Sequence, residues 1–302
     1  MSVRPVAALL VVVLLAAGCT RATGAAPETD PRRLVLTTFT VLADMARVVA
    51  GDHLRVESIT KPGAEIHGYE PTPGDLRRAS DADLILDIGL GLEAWFAQFV
   101  DRLDVAHVVV SARVDPIDIA DRPGTPNPHA WMSPRAAQSY VSVIAEAFSD
   151  LDPAHASDYR ANAERYRGEL EALHTETVTA LATIPPDRRV LVTCEGAFSY
   201  LARDTGLTEA YLWPVNAERE ATPRRVARAI DLVRQRSVPA VFCESTVAPG
   251  PMERVAEATG ARFGGTLHVD SLSTPDGPVP TYLELIHHDV TRIVEGLTGG
   301  HP

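Results

Sequence analysis

Four side chains in this 302-residue sequence combine metal-binding chemistry with a shared place in the chain pattern: His67, His129, Glu195 and Asp270. Each falls just after a segment that reads as a β-strand. His67 follows the second strand, His129 lies between the fourth strand and its helix, Glu195 follows Arg189 to Thr193, and Asp270 follows Arg262 to Thr266. Ligands of open α/β sheets bind outside the carboxyl ends of the strands, so four such residues at four strand ends point to one site. Two imidazoles and two carboxylates suit a divalent first-row metal: imidazole takes zinc, iron or manganese, and carboxylates shift preference toward manganese. Taken singly, a loop His or Glu is more often solvated than ligating; the shared placement sets these four apart. His268, two residues before Asp270, is an alternative ligand on the same loop. His53, His107, His155, His174, His287, His288 and His301 read as surface or packing residues.

The elements that must position these residues come in an alternating order. Strand Leu34 to Phe39, helix Val41 to Ala50 and strand Leu54 to Thr60 open the pattern; a short helix near Asp75 to Ser80, strand Leu84 to Ile88, helix Leu92 to Leu103 and strand Val105 to Val110 extend it. A helix after Pro134 ends near Asp150, and beyond residue 185 the alternation restarts and runs to helix Tyr282 to Leu297. Such alternation favours mostly parallel sheets covered on both faces. Between the halves lies the longest helical pattern, Pro153 to Ile184. Its apolar and aromatic positions, Tyr159, Ala163, Tyr166, Leu170, Leu173, Thr177, Leu181 and Ile184, recur every three or four residues and draw one buried stripe. Asp152 offers an N-cap, Pro153 fits the first helical position, and Pro185-Pro186 ends the run. At 1.5 Å per residue this rod is roughly 45 Å long. The expectation is two Rossmann-like α/β lobes, residues 34–152 and 185–302, joined by one long helix over 153–184, with the metal site in the cleft between them.

The N-terminus carries an export signal. Arg4 precedes the apolar run Val6 to Ala17, which at about a dozen residues is too short to span a bilayer of about 30 Å as a helix. The run closes on Leu15-Ala16-Ala17-Gly18-Cys19, which resembles a bacterial lipobox, with Ala16 where Leu is usual. The reading is a signal peptide over residues 1–18, a lipidated Cys19 and a flexible tether over residues 19–33. If Cys19 carries lipid, Cys194 and Cys243 remain, each directly before a Glu at the end of a strand-like run; a disulfide and two buried thiols both fit, since sequence cannot supply the geometry. The formal charge of −12 and the absence of a Lys/Arg block argue against nucleic-acid binding.

Around the four candidate ligands the chain resembles the metal-binding lipoproteins of bacterial manganese, zinc and iron ABC importers, the TroA-like or cluster 9 solute-binding proteins. The resemblance runs from Leu34 to Leu297. It is carried by His67-Gly68-Tyr69-Glu70-Pro71-Thr72-Pro73, Asn127-Pro128-His129-Ala130-Trp131, Glu195-Gly196-Ala197-Phe198-Ser199-Tyr200, Thr222-Pro223, Glu244-Ser245 and Asp270-Ser271-Leu272. It implies that His67, His129, Glu195 and Asp270 are the metal ligands, the third being His in many zinc members and Glu in many manganese members. It also implies two lobes joined by a long helix, capture of a metal outside the membrane, and delivery to an ABC-importer permease. A monomer held to the membrane by its lipid is expected. The chain departs from the family pattern at Glu65-Ile66, where Asp-Pro is frequent, and at Asn127, where Asp is frequent; it lacks the His-rich acidic loop of many zinc members.

The expected cargo is one divalent transition metal, manganese ahead of zinc or iron, because two carboxylates binding through both oxygens complete a six-donor shell with two imidazoles. No enzymatic activity is expected. A hydrolytic metal needs an open position for water and a nearby base, and four protein ligands leave little room. A nucleophile elbow at Val192-Thr193-Cys194-Glu195-Gly196 lacks its first Gly and a clear His partner. A surface adhesin or metallochaperone on the same scaffold is a further reading; loss of metal uptake on deletion, against loss of attachment alone, separates them.

Overall fold

Four short strands in the first half, two of them fully buried, satisfy their backbone polar groups by pairing in parallel. The computed structural model describes residues 30–100, 102–120, 122–215 and 221–299. The signal peptide, Cys19, the tether as far as residue 29 and His301 lie outside the described residues. β1 (Leu34–Thr37), β2 (Arg55–Ser58), β3 (Leu84–Asp87) and β4 (Ala106–Val109) form one parallel sheet in the order β2-β1-β3-β4. The central strands β1 and β3 are buried at every position, as expected of parallel strands covered on both faces. Their crossovers carry α1 (Thr40–Ala50), α2 (Pro73–Ser80) and α3 (Ala94–Val100). Then α4 (Pro134–Leu151) opens with Pro134 at its first position and Ser133 as its cap, the Ser133 hydroxyl accepting the Ala136 N–H at 3.3 Å.

The long linking helix is α5 (Ala156–Ala182), 27 residues and thus about 40 Å. Seven of the stripe positions expected from periodicity, Tyr159 through Leu181, are buried within it, and Ile184 is buried just past its end. Its start differs from the expectation. Pro153–His155 forms a 3₁₀ turn, and Asp152 does not cap the helix with its side chain. Its Oδ2 instead lies 2.7 Å from His155 Nδ1 and accepts the Tyr159 hydroxyl at 2.7 Å. The carboxylate is claimed by two side chains of the following turn, so the first backbone N–H groups tighten into 3₁₀ bonding.

Beyond α5 the second half repeats the pattern: β5 (Val190–Glu195), α6 (Ser199–Thr205), β6 (Thr208–Trp213), α7 (Pro223–Arg236), β7 (Ala240–Glu244), α8 (Gly250–Thr259), β8 (Arg262–Leu267) and α9 (Tyr282–Thr298). β5 pairs with β6 and β7 with β8, both in parallel. The β7–β8 register slips between Val241 and Cys243. Gly264 and Gly265 permit it: Gly265 adopts φ 108, and a Cβ on Gly264 would lie 2.4 Å from the buried Phe242 ring. β5 and β7 are joined at their carboxyl ends by the disulfide Cys194–Cys243, Cα to Cα 4.8 Å. The class is the α/β expected. The described residues from Arg32 onward make one compact unit, whose main apolar cluster runs without a break from β1 and α1 through Tyr159, Tyr166 and Leu170 of α5 to β7 and α9.

Candidate metal centre

His67 sits on the loop between β2 and α2, and that loop is held from several sides. Glu65 takes the His67 N–H at 2.6 Å and the Gly68 N–H at 3.0 Å on its two oxygens. Further along, Thr72 and Asp75 form a capping box at the start of α2. Asp75 also accepts the Tyr69 hydroxyl at 3.0 Å and pairs with Arg78 at 2.6 Å, while Arg78 donates to the carbonyls of Ser58 and Ile59 at the end of β2. Burial alone would raise the Asp75 pKa, but the bonds from Arg78, Thr72 and Tyr69 outweigh it and hold the carboxyl down at about 2. A charged Asp75 thus fastens both ends of the segment that presents His67.

His129 precedes a 3₁₀ turn, Ala130–Met132, that leads into α4. Its N–H donates to Asn127 Oδ1 at 3.0 Å, and its Nδ1 lies 2.8 Å from the same oxygen. Glu195 is the last residue of β5 rather than the first after it, because the ladder with β6 continues to the pair Glu195 and Trp213. Its N–H is taken by Glu244 Oε2, from the end of β7, at 3.1 Å. Asp270 follows β8, and its Oδ2 accepts the Thr246 hydroxyl at 3.0 Å. The Trp131 indole N–H donates to the Val269 carbonyl at 3.0 Å, so the His129 and Asp270 segments touch directly. Ser271, next to Asp270, accepts the Gly63 N–H at 2.7 Å and lies 3.3 Å from the Thr40 hydroxyl; the Leu272 N–H donates to Thr40 Oγ1 at 2.9 Å.

These elements bring all four predicted side chains to one point. His67 Nε2 lies 3.0 Å from His129 Nε2, 3.3 Å from Glu195 Oε1 and 3.7 Å from Asp270 Oδ1; His129 Nε2 lies 3.4 Å and 4.0 Å from the same two oxygens. A tetrahedron of nitrogen and oxygen ligands about 2.0–2.2 Å from a first-row metal has edges of about 3.3–3.6 Å, in the middle of the observed range. The side chains of His129, Glu195 and Asp270 are fully buried and that of His67 is 4 % exposed, so water competes little for the cation. Burial, against weaker opposing pulls from Asp270 and other carboxylates, lowers the His129 pKa to about 4, leaving a neutral imidazole with a lone pair to give. Burial works to raise the Asp270 pKa, but the bond and charge of His67, then His129 and Thr246, bring it below the usual value. Glu244 is pushed well up by burial and by the neighbouring Glu195 and Asp270 charges.

His268 does not join the four-residue cluster. Its N–H is bonded to Asp289 of α9 at 2.9 Å, and its ring packs against His288, centroids 5.1 Å apart. Cys194, Cys243 and Glu244 form a second close group, but the two sulfurs are bonded to each other, which settles the thiol question and removes Cys194 as a nucleophile. Cys194 also lies inside β5, not in a turn. Glu244 and Asn127 are the supporting residues that sequence reasoning left without a role. Glu244 ends a strand, as the ligands nearly do, and the same placement rule would have flagged it.

Residues 35–296 match the family model described as zinc-uptake complex component A, periplasmic. The chain is 48 % identical over 272 residues to the iron-binding protein YfeA of Yersinia pestis, covering 89 % of this chain and 88 % of that protein. It is 33 % identical over 291 residues to the manganese-binding lipoprotein MntA of Halalkalibacterium halodurans, covering 96 % and 97 %. The fold matches the Mn-bound periplasmic metal binding protein of Candidatus Liberibacter asiaticus with a TM-score of 0.83 at 36 % identity, over 88 % of this chain and all of that one.

Proposed function

Because the chain belongs to the family of the zinc-uptake complex component A, whose members are metal-binding solute-binding proteins, we propose that it captures a divalent transition metal outside the cytoplasmic membrane and delivers it to the permease of an ABC importer. The observation that carries this reading is the convergence of His67, His129, Glu195 and Asp270 within 4.8 Å of one another in a buried setting. Two imidazoles and two carboxylates would hold a divalent ion with no net charge left in the interior, which suits a cargo that must be taken up and given away. The closed four-ligand shell leaves the ion without a vacant position for a substrate, so the protein carries metal and does not turn it over. Manganese is the favoured cargo, with iron and zinc as alternatives, for the reason set by the two carboxylates.

The decisive test is elemental analysis of the purified protein paired with thermal unfolding in added Mn²⁺, Zn²⁺ and Fe²⁺. A ligand that binds only the folded state stabilises it by RT ln(1 + [L]/Kd), about 2.7 kcal/mol at a hundred times Kd. The parent should gain in melting temperature and an Asp270→Ala variant should not. Equal response of the two would remove these residues from the site. The same reading places the protein on the outer side of the membrane as a monomer anchored through Cys19, with residues 34–152 and 185–302 acting as two lobes about α5. Cys19→Ala should leave the folded protein soluble; a variant that stays in the detergent phase as fully as the parent would refute the anchor.

A further inference from the structure

We propose that Asn127 is a positioning residue that works at both ends of its amide: it fixes the tautomer in which His129 meets the metal, and it ties the His129 segment to the turn that follows Glu195. The proposal rests on the reading of His129 and Glu195 as ligands, one from each half of the chain. Asn127 is 2 % exposed, and its backbone is pinned on both sides, its N–H donating to Ile117 at 2.7 Å and its carbonyl accepting the Tyr200 hydroxyl at 2.8 Å.

The orientation of the amide follows from its partners. One end faces the backbone N–H of His129, which can only donate, so that end is the oxygen. The other end lies 2.6 Å from the Gly196 carbonyl, which can only accept, so that end is the NH2 group, with Ser199 Oγ at 3.2 Å as its second acceptor. With oxygen placed beside the ring, His129 Nδ1 must carry the hydrogen. A neutral imidazole then has its lone pair on Nε2, the atom that faces His67, Glu195 and Asp270. The opposite tautomer would aim an N–H at the metal.

The tie to Gly196 acts on the other ligand. Gly196 directly follows Glu195, and a Cβ there would lie 2.7 Å from the Tyr211 ring, so the turn is packed too tightly to shift independently of its neighbours. Its N–H donates to the Trp213 carbonyl, and its own carbonyl is the group that Asn127 holds. One side chain therefore sets the spacing between a His of the first half and a Glu of the second before any metal arrives. An Asp at 127 would keep the acceptor for His129 but would turn a carboxylate oxygen toward the Gly196 carbonyl.

Three proteins test this: the parent, Asn127→Ala and Asn127→Asp, each metal-free and labelled with ¹⁵N-histidine and ¹³C-glycine. Long-range ¹H–¹⁵N spectra report which ring nitrogen of His129 is protonated, and the carbonyl shift of Gly196 reports its hydrogen bond. The parent should show Nδ1–H alone. Asn127→Asp should keep that tautomer while the Gly196 carbonyl shift moves, and Asn127→Ala should lose both. Mn²⁺ affinity of Asn127→Ala should fall by about 10- to 100-fold, the usual effect of removing a partner of a ligating His. Nδ1–H retained as the only neutral tautomer in Asn127→Ala would overturn the proposal even if affinity fell, since the loss would then be structural. So would a changed tautomer in Asn127→Asp, which keeps the argument testable if the Ala variant fails to fold. A parent that binds no metal defeats the functional reading instead, and the metal-free spectra still decide the role of Asn127.

Discussion

In the proposed site Glu195 is the residue on which metal preference should turn, because it stands where the family resemblance puts a His in many zinc members and a Glu in many manganese members, and Glu195→His would make a three-His site. Zn²⁺ is content with four ligands and has no geometric demand from its d electrons, whereas Mn²⁺ favours more oxygen donors and higher coordination. Glu195→His should therefore move the ratio of Mn²⁺ to Zn²⁺ affinity toward zinc, and Glu195→Ala should weaken both. Zn²⁺ should still bind the parent tightly in vitro, since affinity at such sites generally rises from Mn²⁺ to Zn²⁺ whatever the cell supplies. Competitive titration of the two metals against parent and variant measures the ratio. An unchanged ratio in Glu195→His would take Glu195 out of contact with the metal and leave manganese without its main support. The backbone of Glu195 is held from β7 through Glu244, so the side chain would reach a metal from a fixed strand end rather than from a loop free to adjust.

At the scale of elements, the His67 loop and α2 stand or fall together through Asp75. Its carboxyl has a pKa near 2 in the folded protein and about 3.9 when unfolded, so its charged form stabilises the fold above the unfolded value, and that stability is lost as pH falls through the folded one. The shift corresponds to about 2.5 kcal/mol. Asp75→Asn should cost roughly that much at pH 7, and the gap between variant and parent should narrow as pH drops below about 4. Urea unfolding at pH 7 and pH 3 checks it, and a gap that stays constant would mean that charge is not what Asp75 contributes. This network also shows where reading the sequence stops. The four side chains that converge were legible as candidates because strand ends are local features, and the α5 stripe was legible because helical periodicity is local too. What escaped depends on partners far along the chain. Glu195 belongs to β5 because β6 runs beside it as far as Trp213. The disulfide required knowing that the ends of β5 and β7 lie together. Asp152 reads as a cap until His155 and Tyr159 claim it, and His268 is set aside by α9, where Asp289 holds its backbone N–H and His288 packs against its ring.

For the molecule as a whole, the question is how a metal would reach four candidate ligands that are almost fully buried. A wide swing of two lobes is one answer, but three features oppose it. α5 is a continuous helix whose apolar stripe lies in a core shared by both halves. Tyr282 of α9 donates its N–H to Asp44 of α1 at 2.9 Å and its hydroxyl to the Trp131 carbonyl at 2.5 Å, fastening the end of the chain to its beginning. Ser271 and Thr40 link the Asp270 loop to Gly63 and α1. Opening the halves as rigid bodies would break these together, and a helix is a stiffer joint than the loop hinges of large domain closures. We expect movement confined to the two loops around His67 and Asp270, which would give up the Ser271 and Leu272 bonds to Gly63 and Thr40 but leave α5 and the Tyr282 contacts in place. A folded unit of this size has a radius of gyration of about 18 Å. Small-angle scattering of metal-free and metal-loaded protein should agree to within a few per cent of that, while hydrogen exchange should slow on metal binding mainly between residues 61 and 72 and around residues 270 to 275. A change of several ångströms in the radius would show that α5 bends or that the shared core parts, and would replace loop gating by true closure of lobes.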